Sequence, residues 1–161
     1  MSKILKIKAR QVFDSRGNPT IEAEVYSKNL SASAICPSGA STGTYEAFEK
    51  RDNNNKKYLG KSVLGAVNLV NTKISKKLIG KNIHDQTRID TILINLDGTR
   101  QKTSLGANAI LAISMAAKKL SAKIKRVSLY KTFLVKNNFR LPYPLMHIIN
   151  GGAHALSLIH I

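Results

Sequence analysis

The sequence contains one cysteine, no tryptophan and no long apolar run, and these shortages exclude several classes of protein. A lone Cys36 cannot form an intramolecular disulfide, which fits a reducing compartment. No apolar stretch is long enough to span a bilayer, and the N-terminus lacks the apolar core and cleavage site of a secretory signal. These absences predict a cytoplasmic protein with no membrane span.

Acidic residues are also scarce, because 9 Asp and Glu face 26 Lys and Arg, for a formal net charge of +17. Such an excess can indicate a polyanionic partner such as RNA. The lysines are spread over many segments with few aromatic residues among them, unlike a surface that stacks nucleic-acid bases. Residues 53–57 are rich in amino acids with A/T-rich codons, so the charge can also reflect genome composition. A basic RNA-binding or scaffolding module stays the alternative function, and a nucleic-acid partner is not favoured.

The spacing of apolar residues predicts an α+β fold that begins with strands. Apolar and polar residues roughly alternate over residues 4–13, 20–27 and 31–36, which is typical of β-strands. Turn-forming residues at 14–19 and 27–29 separate these runs. The pattern predicts a three-stranded antiparallel meander.

The spacing changes to three and four residues after the strands, which predicts a helical bundle. The apolar positions of the first helix, which Gly80 ends, are Val63, Val67, Val70, Ile74 and Leu78. Asp85 is a candidate cap for a second helix that ends at Asp97-Gly98. A third helix is predicted over residues 107–123 and a short fourth over 128–136.

Basic residues gather around the end of the third helix, where cations suit the helix dipole, and we interpret them as a solvated helix end. They are Lys118, Lys119, Lys123, Lys125 and Arg126. Pro142 and Pro144 then interrupt the helical pattern, and residues 145–149 predict a new apolar strand. A second domain is expected to begin here.

Residues 38–43, with the sequence SGASTG, lack the lysine and the spacing of a phosphate-binding P-loop. Their hydroxyl and carbonyl oxygens could bind a hard cation such as magnesium, and a plain flexible loop is the alternative. His154 beside two glycines could act as an acid, a base or a substrate donor, or could have no role. His84 and His147 have no metal-ligand partner at readable spacing and are interpreted as structural. Asp14 and Arg16 next to Gly17 could form a salt-bridged turn or part of an interface.

Five segments together resemble the enolase family in order and spacing, over residues 1–155. They are residues 14–20, residues 37–43 with Glu46 following, and residues 96–99, 105–110 and 150–155. The resemblance implies an enolase N-terminal domain at residues 1–135, a three-stranded meander followed by helices. Residues 136–155 would begin an α/β barrel whose other strands are absent, so the chain is interpreted as an N-terminal fragment.

The resemblance also implies an activity, the reversible dehydration of 2-phosphoglycerate to phosphoenolpyruvate in glycolysis. In the family a lysine removes the proton at carbon 2, two magnesium ions stabilise the resulting dianion, and a glutamic acid assists the departure of hydroxide. These catalytic groups belong to the barrel. We therefore expect no catalytic residue in this fragment and no lyase activity from the fragment alone.

Several residues match positions with a role in the family. Ser41 matches a serine that joins the second magnesium when substrate closes a mobile loop, and His154 matches a histidine near substrate. The residues of that mobile loop would be Ser38, Gly39, Ala40, Ser41, Thr42 and Gly43. The residues that match the family's dimer interface are Arg10, Arg16 and Glu22. The full-length protein is therefore expected to be a homodimer or a higher oligomer, and a cell-surface location is suggested by the resemblance alone.

The last six residues, LSLIHI at 156–161, depart from the family pattern directly after the match through Ala155. The codons CTG TCT CTT ATA CAC ATC encode this hexapeptide and are the end sequence of a transposase adapter used in sequencing libraries. Our hypothesis is that residues 156–161 form a non-native tail. His160 would then have no functional role.

Overall fold

The computed structural model describes residues 2–39, 43–133 and 140–146. Three antiparallel strands come first, β1 (Lys6–Phe13), β2 (Pro19–Ser27) and β3 (Leu30–Cys36), in the order β1-β2-β3. The predicted meander and α+β class are confirmed. Strand β1 begins later than predicted, because the backbone of Ile4 pairs elsewhere: its N–H donates to the Lys81 carbonyl at 2.9 Å.

The helical part follows the sheet and matches the predicted caps. One continuous helical stretch consists of α1 (Leu64–Leu69), a π-helical turn (Val70–Ile74) and α2 (Ser75–Leu78). Helix α3 (Gln86–Asp97) begins where the Asp85 carboxylate accepts the Arg88 N–H, and it ends at Gly98 with φ of +70°. Helix α4 spans Ala107–Lys125.

The core lies between one face of the sheet and helix α4, which packs against β2 and β3, while α1 and the π-turn pack against β1. Alternate β2 residues Ile21, Ala23 and Val25 are fully buried. Small residues of α4 let the helix approach the sheet closely. These are Ala109, Ala112, Ala116 and Ala117, all fully buried.

Side chains form hydrogen bonds with backbone groups on both outer edges of the sheet. Asn71, in the π-turn, accepts the Ala9 N–H at 2.8 Å and donates to the Ala9 carbonyl at 3.1 Å, as a neighbouring strand would. On the opposite edge Lys119 and Lys123 donate to carbonyls of β3 at 3.2 and 3.1 Å. Because free strand edges template association, these contacts protect the sheet.

Two expectations about the C-terminal half need correction. Lys119 and Lys123 are not merely solvated, because they bind β3, and Lys118 donates to the Thr132 carbonyl at 3.1 Å. The described part of the predicted fourth helix is a 3₁₀ turn (Leu129–Phe133), in which the Thr132 hydroxyl competes for the Leu129 carbonyl by donating to it at 2.7 Å. Residues 134–136 of that prediction lie outside the described residues.

The strand predicted over residues 145–149 is described only at its first two positions. Leu145 and Met146 form no strand and are exposed, since no neighbouring strand pairs with them in the described part of the chain. The remaining residues of that prediction lie outside the described residues.

Candidate functional site

The Gly/Ser loop, residues 38–43, is described at its two ends only. Ser38 and Gly39 follow β3, and Gly43 precedes a turn in which the Glu46 N–H donates to the Gly43 carbonyl at 3.2 Å. Ala40, Ser41 and Thr42 lie outside the described residues, and so do His147 and His154. The structure therefore bears on how the loop is anchored.

A network of hydrogen bonds and one ion pair holds Ser38, the half-buried first residue of the loop. The Ser38 hydroxyl donates to the Glu49 carboxylate at 2.6 Å and accepts a hydrogen bond from Arg51 Nη2 at 2.6 Å. Arg51 also forms an ion pair with Glu49 at 2.8 Å. Its other nitrogen, Nη1, donates to the carbonyls of Pro19, at 3.2 Å, and Lys61. One guanidinium thus ties the start of the loop to the start of β2.

A second set of contacts fixes the segment that follows the loop. The Phe48 N–H donates to the Gln101 carbonyl at 2.7 Å. The Asn108 side chain accepts the Lys50 N–H at 3.2 Å and donates to the Lys50 carbonyl at 3.0 Å. Gly106 has a φ of +92°, and a Cβ there would lie 2.5 Å from both Asn108 Oδ1 and Lys50 Cβ. The glycine and asparagine of residues 105–110 therefore hold the chain beyond the loop.

The motif at residues 96–99 organises the connection between α3 and α4. Asp97, which is 5% exposed, accepts the N–H and the hydroxyl of Thr99 with Oδ1 and the Leu105 N–H at 2.7 Å with Oδ2. Burial alone would raise the pKa of Asp97, but the hydrogen bonds from Thr99 and Leu105 outweigh it and lower the pKa. The carboxylate is occupied in shaping this connection.

The three predicted interface residues divide into a pair and a turn. Arg10 and Glu22 face each other across β1 and β2, and Arg10 Nε donates to Glu22 Oε2 at 2.6 Å on the outer face of the sheet. The hydrogen bond to Glu22 raises the pKa of Arg10 above its ordinary value. Arg16 lies apart, exposed in the turn before β2.

That turn contains no side-chain ion pair between Asp14 and Arg16. The Asp14 carboxylate accepts the backbone N–H groups of Asn18 and Arg16, both at 2.9 Å, which lowers the pKa of Asp14. Gly17 has a φ of +75°, which suits glycine in this turn. The salt-bridged alternative is therefore wrong, and the interface alternative stays a prediction.

His84 contacts the core, as its interpretation as a structural residue requires. Its Nδ1 lies 2.8 Å from the Ser121 hydroxyl, which connects the segment before α3 to helix α4. Burial, with a smaller effect from the Lys125 charge, lowers the pKa of His84. The imidazole is therefore biased toward its neutral form.

Within residues 2–39, 43–133 and 140–146, no three side chains of the His, Cys, Asp and Glu types gather in a cluster that could hold a metal ion. None of the helices in this described part is both long and apolar enough to cross a membrane. Sequence reasoning missed Glu49 and Arg51, and it quoted Asn108 within a family segment without its contact to Lys50, because these partners lie at separations that follow no periodicity.

Comparison with known proteins shows extensive similarity. The sequence profile described as the N-terminal domain of enolase matches residues 4–133. The enolase of Pelagibacter ubique (strain HTCC1062) is 93% identical over 155 residues, which cover 96% of this chain and 37% of the relative. The enolase of Methanococcus vannielii is 55% identical over 153 residues, which cover 94% of this chain and 36% of the relative. The chain thus spans less than two fifths of the length of these relatives.

Proposed function

The chain belongs to the enolase family, and from this premise we propose that it forms the N-terminal part of a phosphopyruvate hydratase, which dehydrates 2-phosphoglycerate reversibly to phosphoenolpyruvate in glycolysis. The observation that carries the proposal is the 93% identity over 155 residues to an enolase. No finding favours the RNA-binding alternative. A cytoplasmic location is part of the same proposal.

We propose that the chain contributes to the complete site a loop that closes over bound substrate, and that the network around Arg51 anchors this loop. Ser38 is not free to bind a ligand, because its hydroxyl is shared between Glu49 and Arg51. Ser41 remains as the hydroxyl proposed to bind magnesium. His154 is proposed to contact substrate, and the catalytic groups are proposed to lie in the part of the longer protein beyond this chain.

The described residues do not form a donor set for magnesium, so a site for two ions needs carboxylates from the rest of the longer protein. When bound, the ions supply the positive charge that a substrate carboxylate needs on gaining a second negative charge. We propose that this chain contributes the Ser41 hydroxyl to that site.

The proposed division of the chain is an N-terminal domain at residues 1–135, the start of a barrel at 136–155 and a non-native tail at 156–161. A profile match ending at residue 133 and an alignment of 155 residues in a chain of 161 support this division. Arg10, Arg16 and Glu22 are proposed to contact a second subunit of the full-length protein. The exposed positions of Arg10 and Arg16 are compatible with that role.

The test is a full-length protein in which residues 1–155 precede the C-terminal part of the Pelagibacter enolase. We expect magnesium-dependent formation of phosphoenolpyruvate, and at least a tenfold lower turnover after Ser41→Ala, on the order expected for loss of one positioned ligand. The matched control, Ser128→Ala, removes an exposed hydroxyl elsewhere and should leave turnover unchanged. Absence of product from the parent would refute the activity, whereas unchanged turnover in Ser41→Ala would refute only the metal-ligand assignment.

A further inference from the structure

One end of the molecule carries six cationic side chains, here called the basic end. Its members are Lys3, Lys28, Lys81, Lys123, Lys125 and Arg126. The backbone brings Lys3 and Lys81 together, because Lys3 forms a β-bridge with Asn82 and the Ile4 N–H donates to the Lys81 carbonyl at 2.9 Å. The backbones of two distant segments, each with one lysine, are thus adjacent at this end.

The last turn of α4 joins the same end through two contacts. His84, which follows Lys81 closely, lies 2.8 Å from Ser121, one turn before Lys125. The Lys123 ammonium donates to the Ser31 carbonyl at 3.1 Å, beside the β2–β3 turn that contains Lys28. The end of α4, the β2–β3 turn and the paired segments near residues 3 and 81 therefore share one surface.

The charge of this surface is not neutralised within the described part of the chain. The two ion pairs there, Arg10 with Glu22 and Arg51 with Glu49, involve none of the six cations. Two acids, Glu24 and Asp85, lie nearby, so six cations against two acids leave a formal excess of four positive charges. Glu24 accepts hydrogen bonds from Tyr26 and Ser31, and Asp85 caps α3.

Aliphatic side chains are exposed between these cations. Leu5 is 55% exposed, Ile79 47%, Val127 40% and Leu30 37%, and each is within two residues of a member of the basic end. Within two residues of a member, the one aromatic residue in the described part of the chain is Tyr26, which is half-buried. The surface therefore combines lysines with exposed aliphatic groups and has no exposed aromatic ring at these positions for a nucleic-acid base to stack on.

We propose that the basic end binds the surface of a bilayer that contains anionic phospholipids. Each lysine near such a surface contributes on the order of 1 kcal/mol of attraction, and aliphatic side chains gain by entering the headgroup boundary. A nucleic-acid backbone would engage the cations and leave the aliphatic groups without a role, so the combination favours lipid. This interaction is separate from the hydro-lyase reaction and does not depend on it.

The test is sedimentation of the full 161-residue chain with vesicles of phosphatidylcholine, with or without phosphatidylglycerol. We expect binding only to the anionic vesicles, weakened by added salt. The triple variant Lys3→Gln, Lys28→Gln, Lys125→Gln should lower the partition coefficient at least about tenfold. The matched control, Lys56→Gln, Lys57→Gln, Lys131→Gln, removes the same charge from exposed positions elsewhere and should change it by less than about twofold.

A second pair of variants tests the aliphatic groups. Leu5→Ala and Val127→Ala, both at partly exposed positions, should each weaken binding to anionic vesicles without changing the circular dichroism spectrum. Failure to bind anionic vesicles, or an equal loss in the matched lysine control, would overturn the proposal. So would full binding by both alanine variants together with tight binding of generic RNA that the triple variant loses, because that result would assign the surface to nucleic-acid phosphates.

Discussion

Asp97→Asn should destabilise the N-terminal domain by about 2–4 kcal/mol at neutral pH, because Asp97 accepts three hydrogen bonds where solvent does not reach. Asparagine keeps the shape but converts one oxygen into a donor. In the better amide orientation Thr99 keeps its acceptor, and the NH₂ group faces the Leu105 N–H. That buried N–H then lacks a partner, at a cost of about 1–3 kcal/mol, and the bonds to Thr99 lose their charge assistance.

The pH dependence of this loss follows from the direction of the pKa shift. Hydrogen bonds lower the pKa of Asp97 in the folded state, so its contribution to stability is present above the unfolded pKa of about 3.9. It is lost as pH falls through the lower, folded pKa. The protonated acid, like the amide, has one acceptor oxygen and one donor, so the difference between parent and variant should shrink in acid.

Urea unfolding followed by circular dichroism at pH 7 and at stepwise lower pH measures both effects. The matched control is Asp85→Asn, because asparagine and aspartate cap helices about equally well and the Asp85 side chain is exposed. The control should lose less than about 0.5 kcal/mol. An equal loss in the two variants at pH 7, or a difference that stays constant in acid, would refute the account of Asp97.

Three further substitutions test the contacts around the loop and the sheet edges. Arg51→Met should lower the free energy of unfolding by about 2–3 kcal/mol and speed hydrogen exchange at the start of the loop, and unchanged exchange would contradict the anchoring role. Gly106→Ala should lower the free energy of unfolding in urea by at least about 2 kcal/mol, since it combines a positive φ with a clash. Gly17→Ala should cost less, because φ is also positive there but no atom lies within 4 Å of the added Cβ. Equal costs in the two variants would show that the clash has no effect. Asn71→Ala should expose the backbone edge of β1 and promote self-association at high protein concentration, which light scattering would detect. A variant as monomeric as the parent would show that the Asn71 hydrogen bonds are not needed to prevent association.

Local signals in the sequence were sufficient for the meander and for the ends of α3. Alternation over β2 predicted which residues are buried, because neighbouring side chains of a strand point to opposite faces. Asp85 and Gly98 predicted the ends of α3, because a cap depends on the residue type at one position. Each of these inferences needs only residues close together in the chain.

Contacts between distant residues were not predictable in this way. Asn108 binds Lys50 across 58 positions, and Asn71 binds Ala9 across 62, and neither separation follows a period. The lysines of α4 were misread for the same reason. Helix position alone suggests that they face solvent, whereas the packing angle of α4 on the sheet brings two of them to the carbonyls of β3.

The family motifs in this chain differ in what they do. The aspartate at 97, the glycine at 106 and the asparagine at 108 are held by contacts within the domain, and together they fix the segment after the loop. Arg51 fixes the residue that begins the loop. Residues 38–48 are therefore attached at both ends to other elements of the domain. A hydroxyl proposed to reach a metal needs such attachments, because a displacement of about 1 Å can cost on the order of a hundredfold in rate. Substitution of Arg51 should thus lower turnover of the full-length protein although Arg51 is not proposed to touch substrate.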